Sequence, residues 1–186
     1  VFALRKKQSQ LTRGIRFETD DRVRSCVKKI LPFHPTAAQK RVLKEIVEDL
    51  KAPHPMNRLL QGDVGSGKTI VAFEAVVVAV ENGYQAAIMA PTEILAEQHY
   101  RTIVKVLSLS RRSEAKAEKP YRVAPLSGPV TAATRRDLLP AIERGDINLV
   151  VGTQALIQQH VKFKSLALWV IDEQYRFGVV QRGTLA

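Results

Sequence analysis

Cys26 is the only cysteine among 186 residues, so no disulfide can form within the chain and the fold must rest on its hydrophobic core. That usage fits a reducing compartment, and a cytoplasmic protein is expected. Long apolar runs are missing as well. A membrane span needs ~18 residues. The longest candidate, Ile70 to Val80, is 11 residues and is interrupted by Glu74, which reads as a buried helix. The first residues hold no apolar stretch followed by a cleavage site, so no secretory signal is expected. The chain neither starts with Met nor ends on a recognisable terminus, and it reads as a piece of a longer protein. Acidic residues are scarce relative to basic ones: 18 Asp plus Glu against 29 Lys plus Arg, a net charge of +11. Such an excess points to polyanions, nucleic acid first. It is uneven, because residues 1–30 carry nine basic and three acidic residues, a net +6.

Residues 1–30 have weak periodicity and read as a basic linker or the tail of a preceding domain. A second division, 31–186, opens on the proline-punctuated Leu31-Pro32-Phe33-His34-Pro35. Thr36 is placed to cap a helix running to about Leu50, ended by Pro53 and Pro55. A regular alternation follows. Strands are expected at Arg58–Gln61, Gln85–Ala90, Tyr121–Leu126, Ile147–Val151 and Leu166–Ile171. Helices are expected at Lys68–Glu81, Glu93 to about Leu107, Thr131–Arg144 and, briefly, Ala155–Gln159. The polar run Ser108–Pro120 reads as an exposed loop. Continuous apolar strands alternating with helices imply an α/β fold, a mainly parallel sheet with helices on both faces. Ligands of such sheets bind at the carboxyl ends of the strands. No internal repeat is present.

After the first expected strand comes Gly62-Asp63-Val64-Gly65-Ser66-Gly67-Lys68-Thr69, the pattern G-x-x-x-x-G-K-[ST] between strand and helix. The glycines let the backbone wrap until several N–H groups converge on phosphate oxygens. The helix starting near Lys68 adds its positive dipole end. Lys68 supplies a charge for the β- and γ-phosphates, and Thr69 a hydroxyl for Mg²⁺. The apolar run Leu166–Ile171 leads directly into Asp172-Glu173. A carboxylate at the end of a buried strand needs compensation, which a metal ion supplies. Asp172 is expected to hold that metal through a water, and Glu173 to orient or deprotonate the attacking water. The adjacent Glu and the lack of an Asn-Lys-x-Asp segment make a nucleotide kinase or GTPase a distant alternative.

Three further segments complete a pattern: Ala90-Pro91-Thr92-Glu93-Ile94-Leu95-Ala96-Glu97-Gln98-His99, Val151-Gly152-Thr153-Gln154-Ala155-Leu156, and Asp172-Glu173-Gln174-Tyr175-Arg176-Phe177-Gly178-Val179. With the phosphate loop they resemble, in order and over roughly Leu31 to Arg182, the RecG branch of superfamily-two DNA helicases. The resemblance implies a RecA-like ATP-binding lobe, truncated before the second lobe, of a motor that remodels stalled forks and branched DNA in recombination and repair. It implies ATP and Mg²⁺ as cofactors, and a bacterial, nucleoid-associated location. The implied partners are branched or forked duplex DNA and, within the parent protein, a second RecA-like lobe and a DNA-gripping domain; no membrane is among them. It places nucleotide contacts at Thr36 and Gln39, at the phosphate loop and at Asp172-Glu173. A glutamine amide is suited to the N6/N7 edge of adenine. It places DNA-backbone contacts at Pro91, Thr92 and Glu93, at Ser127 and Gly128, and at Gly152 and Thr153.

The family's pattern has His where this chain has Gln154 and Tyr175. Tyr donates a hydrogen bond but carries no positive charge. A related reading is the corresponding lobe of the transcription-repair coupling translocase Mfd, whose acidic motif usually reads Asp-Glu-Glu-Gln rather than Asp-Glu-Gln-Tyr. A third is a nucleotide-binding module inactive by itself. Without a second lobe and its arginine finger, the isolated chain is expected to hydrolyse ATP weakly and not to unwind DNA.

Overall fold

The computed structural model of the chain describes residues 14–31, 34–113, 121–127, 132–158 and 160–172. The chain divides into two compact units on either side of the Asn82–Gly83 junction.

In the first unit, Gly14 N–H donates to Pro53 O at 2.9 Å and Phe17 N–H to Leu50 O at 3.0 Å. A Cβ on Gly14 would sit 2.5 Å from the His54–Pro55 backbone, so this approach requires glycine. Asp20 caps helix α1 (Asp21–Ile30) through Val23 N–H. The buried Phe17, Val23, Val27 and Ile30 show why residues 14–30 are ordered here despite their charge. Helix α2 (Ala37–Lys51) starts at Thr36 as the sequence predicts. Helix α3 (Lys68–Glu81) has the predicted bounds. It is apolar nearly all round, the mark of a buried helix, and α1 and α2 both pack on it. Asn82 ends it by donating to Val78 O and Glu18 O while accepting from Glu18 N–H.

The expected strand Arg58–Gln61 is not one: the segment is irregular. Its two apolar residues offer little surface to draw it into a sheet, and Leu59 is 68% exposed. The Arg58 guanidinium is bound instead to Asp49 and Glu45 of α2, at 2.6 and 2.7 Å.

Among the described residues the second unit holds four parallel strands: β1 (Gln85–Met89), β2 (Val123–Leu126), β3 (Leu149–Gly152) and β4 (Leu166–Ile171), in the order β2-β3-β1-β4. Helix α4 (Glu93–Ser113) joins β1 to β2, and α5 (Ala132–Arg144) joins β2 to β3. These crossovers run in opposite directions across the sheet, so right-handedness puts the two helices on opposite faces. Ala87, Met89, Leu126 and Val150 pack with Ile142 of α5 and with Leu156. Ala86, Ile88, Leu149 and Val151 alternate with them, equally buried, and α4 packs on β2 and β3. The α/β expectation therefore holds for this unit.

Several boundaries differ from expectation. Ser108–Ser113 continue α4 rather than opening a loop, while 114–120 lie outside the described residues. The buried Val106 and Leu107 anchor this last part of the helix, and the hydroxyls of Ser108 and Ser110 donate back to Lys105 O and Leu107 O at 2.8 Å. Strand β2 begins at Val123, not Tyr121, and β3 covers Leu149–Gly152, not Ile147–Val151. The Ile147 carbonyl is taken by the Gln85 side chain instead of a ladder. The short helix expected at Ala155–Gln159 is a 3-10 turn, Gln154–Ile157.

Candidate functional site

The phosphate-loop sequence leads into α3 through two residues with left-handed backbone, Gly65 at φ 82° and Gly67 at φ 84°. Side chains disfavour that region by ~1–2 kcal/mol per residue. Ser66 N–H closes a turn onto Asp63 O at 3.2 Å. The Lys68 ammonium donates to Gly62 O and Asp63 O, both at 2.7 Å, so the lysine folds over its own loop. An ammonium has three donors, and two bonds to the loop leave capacity for an anion. Gly67 is the N-cap of α3 and supplies no side chain to its first N–H groups. Those orphan donors and the helix dipole suit a phosphate. Gly62 to Ser66 are exposed, with Val64 fully so, while Gly67, Lys68 and Thr69 are half-buried.

Thr36 and Gln39 belong to the same unit and reach the same loop. Thr36 Oγ1 accepts from Gln39 N–H at 3.2 Å, and Gln39 Oε1 accepts from Thr36 N–H at 2.9 Å, a complete capping box. The other end of the amide, Gln39 Nε2, donates to Ser66 O at 3.0 Å. A Cβ on Gly67 would meet that nitrogen. Gln39 thus braces the loop, and both ends of its amide are engaged. The T-x-x-Q spacing signals the box; nothing in the sequence signals the reach to Ser66.

In the second unit, register aligns the strand ends. Leu126 pairs with Gly152, Gly152 with Met89, and Met89 with Ile171. The segments that follow, from Ala90, Ser127, Thr153 and Asp172, therefore emerge along one edge of the sheet. Thr92 Oγ1 accepts from Leu95 N–H at 3.3 Å at the start of α4, where Thr92 and Glu93 are exposed and Pro91 half-buried. Ser127 is buried. Gly152 has a packing reason for its identity, since a Cβ there would collide with Leu126 O on β2. Thr153 precedes the 3-10 turn, and its carbonyl accepts from Leu156 N–H at 3.1 Å. Asp172 continues the ladder by donating its N–H to Met89 O at 2.9 Å, and its carboxylate meets His99 Nε2 at 2.8 Å. Glu173, Gly128 and Tyr175 lie outside the described residues.

The structure adds one residue to the sheet edge that sequence reasoning missed as a participant, His99. It stands in the quoted segment after β1 but was read there only as part of a pattern. Thr69 in the first unit and Asp172 in the second each carry an oxygen donor of the kind Mg²⁺ takes. No group of three or more His, Cys, Asp or Glu suited to a metal occurs among the described residues, and Mg²⁺ bound alongside phosphates does not require one.

The sequence profile of DEAD/DEAH box helicases matches residues 36–185. The ATP-dependent DNA helicase RecG of Synechocystis sp. is 51% identical over 156 residues, 84% of this chain and 18% of that protein. RecG of Bacillus subtilis is 48% identical over 185 residues, 98% of this chain and 26% of that protein. A solved structure of RecG bound to a three-way DNA junction superposes with a TM-score of 0.78 at 42% identity, covering 95% of this chain and 23% of that one. The chain spans about a quarter or less of the relatives it matches. The parallel sheet and this superposition agree on a RecA-like α/β fold, and the family is one that binds nucleotide. With its phosphate loop and strand-end carboxylate in the family's order, the chain belongs to the DEAD/DEAH box helicase family.

Proposed function

We propose that this chain is the ATP-binding and hydrolysing lobe of a RecG-type DNA helicase that remodels stalled forks and branched DNA in recombination and repair. The observation that carries the reading is the loop Gly62–Thr69, with left-handed Gly65 and Gly67 feeding an uncapped helix N-terminus beside Lys68. The similarity to RecG over almost the whole chain supports the DNA half. Residues 31–186 are the lobe, and 1–30 are a basic linker or the tail of a preceding domain, its helix α1 packed on α3. Branched or forked duplex DNA, a second RecA-like lobe and a DNA-gripping domain are the partners. A cytoplasmic, nucleoid-associated bacterial protein fits the bacterial relatives. Among the described residues no helix is long and apolar enough to cross a membrane.

In this reading Gly62, Asp63, Val64, Gly65, Ser66 and Gly67 wrap the phosphates with backbone N–H groups, and Lys68 neutralises the β- and γ-oxygens. Thr36 and Gln39 contact the base side of the nucleotide. Thr69 offers its hydroxyl and Asp172 its carboxylate to Mg²⁺. The metal, when bound, neutralises charge on the transferred phosphoryl group. Glu173 orients the attacking water and takes its proton. Pro91, Thr92, Glu93, Ser127, Gly128, Gly152 and Thr153 meet the DNA backbone; phosphate contacts of that kind position without reading sequence.

The test is unwinding of a three-way junction by the full-length protein that carries this lobe, with and without Lys68→Ala. The reading predicts ATP-dependent strand separation that the substitution abolishes. Junction unwinding that survives Lys68→Ala would contradict it.

A further inference from the structure

The carboxylate that ends β4 is held from the side by a residue 73 positions earlier. His99 Nε2 lies 2.8 Å from Asp172 Oδ2, and the His99 side chain is only 11% exposed. An ionised carboxylate can only accept, so the imidazole N–H is the donor. The Asp172 main chain is fixed separately, by its N–H bond to Met89 O. The strand therefore sets where Asp172 starts, and His99 sets where its carboxylate points. His99 lies on α4, seven residues after Thr92 and so about two turns along the same side of the helix. A charge-assisted bond in a part-buried setting is among the stronger side-chain contacts. Partners of this kind, one shell out from a metal, commonly change metal affinity 10–100-fold when removed.

We propose that His99 is a positioning residue for Asp172, aiming the carboxylate that takes Mg²⁺ with the nucleotide. The inference rests on the reading of Asp172 as the metal-holding residue. It assigns to α4 a second task besides presenting Pro91, Thr92 and Glu93: it carries the group that orients the metal's carboxylate.

The experiment measures ATP binding to the chain by calorimetry across a Mg²⁺ titration, for wild type, His99→Leu, His99→Gln and Asp172→Asn, with thermal melts on each. His99→Leu fills the space but cannot donate. It should raise the Mg²⁺ concentration for half-maximal binding about tenfold and leave metal-free ATP affinity unchanged. His99→Gln keeps a donor at similar reach and should restore most of the loss. If His99→Leu does not fold, His99→Asn, one methylene shorter than Gln, takes its place and should be shifted while His99→Gln is not. A Mg²⁺ dependence equal to wild type in the non-donating variant, or a Gln variant shifted as far as Leu, overturns the positioning role. If Asp172→Asn itself matches wild type, the metal assignment fails and this inference with it. If Asp172→Asn is shifted and His99→Leu is not, only the positioning role is lost.

Discussion

Gly67 shows how much one residue is asked to do. It stands at φ 84°, caps α3 without a side chain, and leaves room for Gln39 Nε2. Gly67→Ala adds the left-handed penalty of ~1–2 kcal/mol and displaces the brace to Ser66. ATP affinity is expected to fall at least tenfold, and the backbone penalty should also lower the melting temperature by roughly 2–8 °C. Equal affinity by calorimetry would show that the brace is dispensable. Gly65 has open space around it, so Gly65→Ala meets the backbone penalty alone and serves as the comparison. The motif told of the glycines, but not which of them touches α2.

Glu74 is a different residue-scale case. It is 2% exposed on α3, its Oε2 lacks a hydrogen-bond partner among the described residues, and burial pushes its carboxyl up to about 7. Between its ordinary value of 4.5 and about 7, the folded chain holds a proton that the unfolded chain has released. Stability therefore falls as pH rises through that window, by up to roughly 3 kcal/mol. Glu74→Gln should remove this slope and raise the melting temperature most at pH 8. Parallel melting curves against pH for the two proteins would place the proton elsewhere. The sequence marked Glu74 only as an interruption of an apolar run; its cost depends on how completely α3 is enclosed.

At the scale of elements, the helices and the inner strands were legible because burial imposes a period or an unbroken apolar run. Lys68–Glu81 and Leu166–Ile171 have the bounds read from sequence. Arg58–Gln61 misled because two apolar residues ahead of a phosphate loop suggest a strand, while the strongest bonds of that segment go to Glu45 and Asp49. The end of α4 misled because serines favour loops in general, yet here their hydroxyls turn back onto the helix. Gln85 was unreadable as a structural residue. It is 2% exposed, its Nε2 donates to Ile142 O and Ile147 O, and its Oε1 accepts from Ser165 N–H. One amide thus ties the start of β1 to the end of α5, the approach to β3 and the approach to β4. Gln85→Leu leaves buried polar groups unmet, at a cost of about 1–3 kcal/mol. A denaturant midpoint unchanged by Gln85→Leu would show that this junction is held by the ladder alone.

For the molecule as a whole, charge and chemistry are distributed unequally. Arg16, Arg24, Lys28 and Lys29 are exposed, whereas Val23, Val27 and Ile30 from the same stretch are core. Deleting residues 1–30 would remove that core, so replacing the four basic residues with Gln is the better probe of DNA binding. If they meet phosphates, the slope of log affinity against log salt should flatten by up to about 3.6. A slope that does not move would assign DNA contact to the strand-end segments from Pro91, Ser127 and Gly152.

The central claim is that Gly62–Thr69 is a working phosphate cradle, and binding of Mg·ATP to this chain before and after Lys68→Ala tests it most directly. Lys68 makes two bonds within the loop, and in the proposed role its charge goes to the phosphates, so the substitution is expected to weaken ATP at least tenfold while the fold, measured by circular dichroism, persists. Equal ATP affinity in two equally folded proteins would contradict the account.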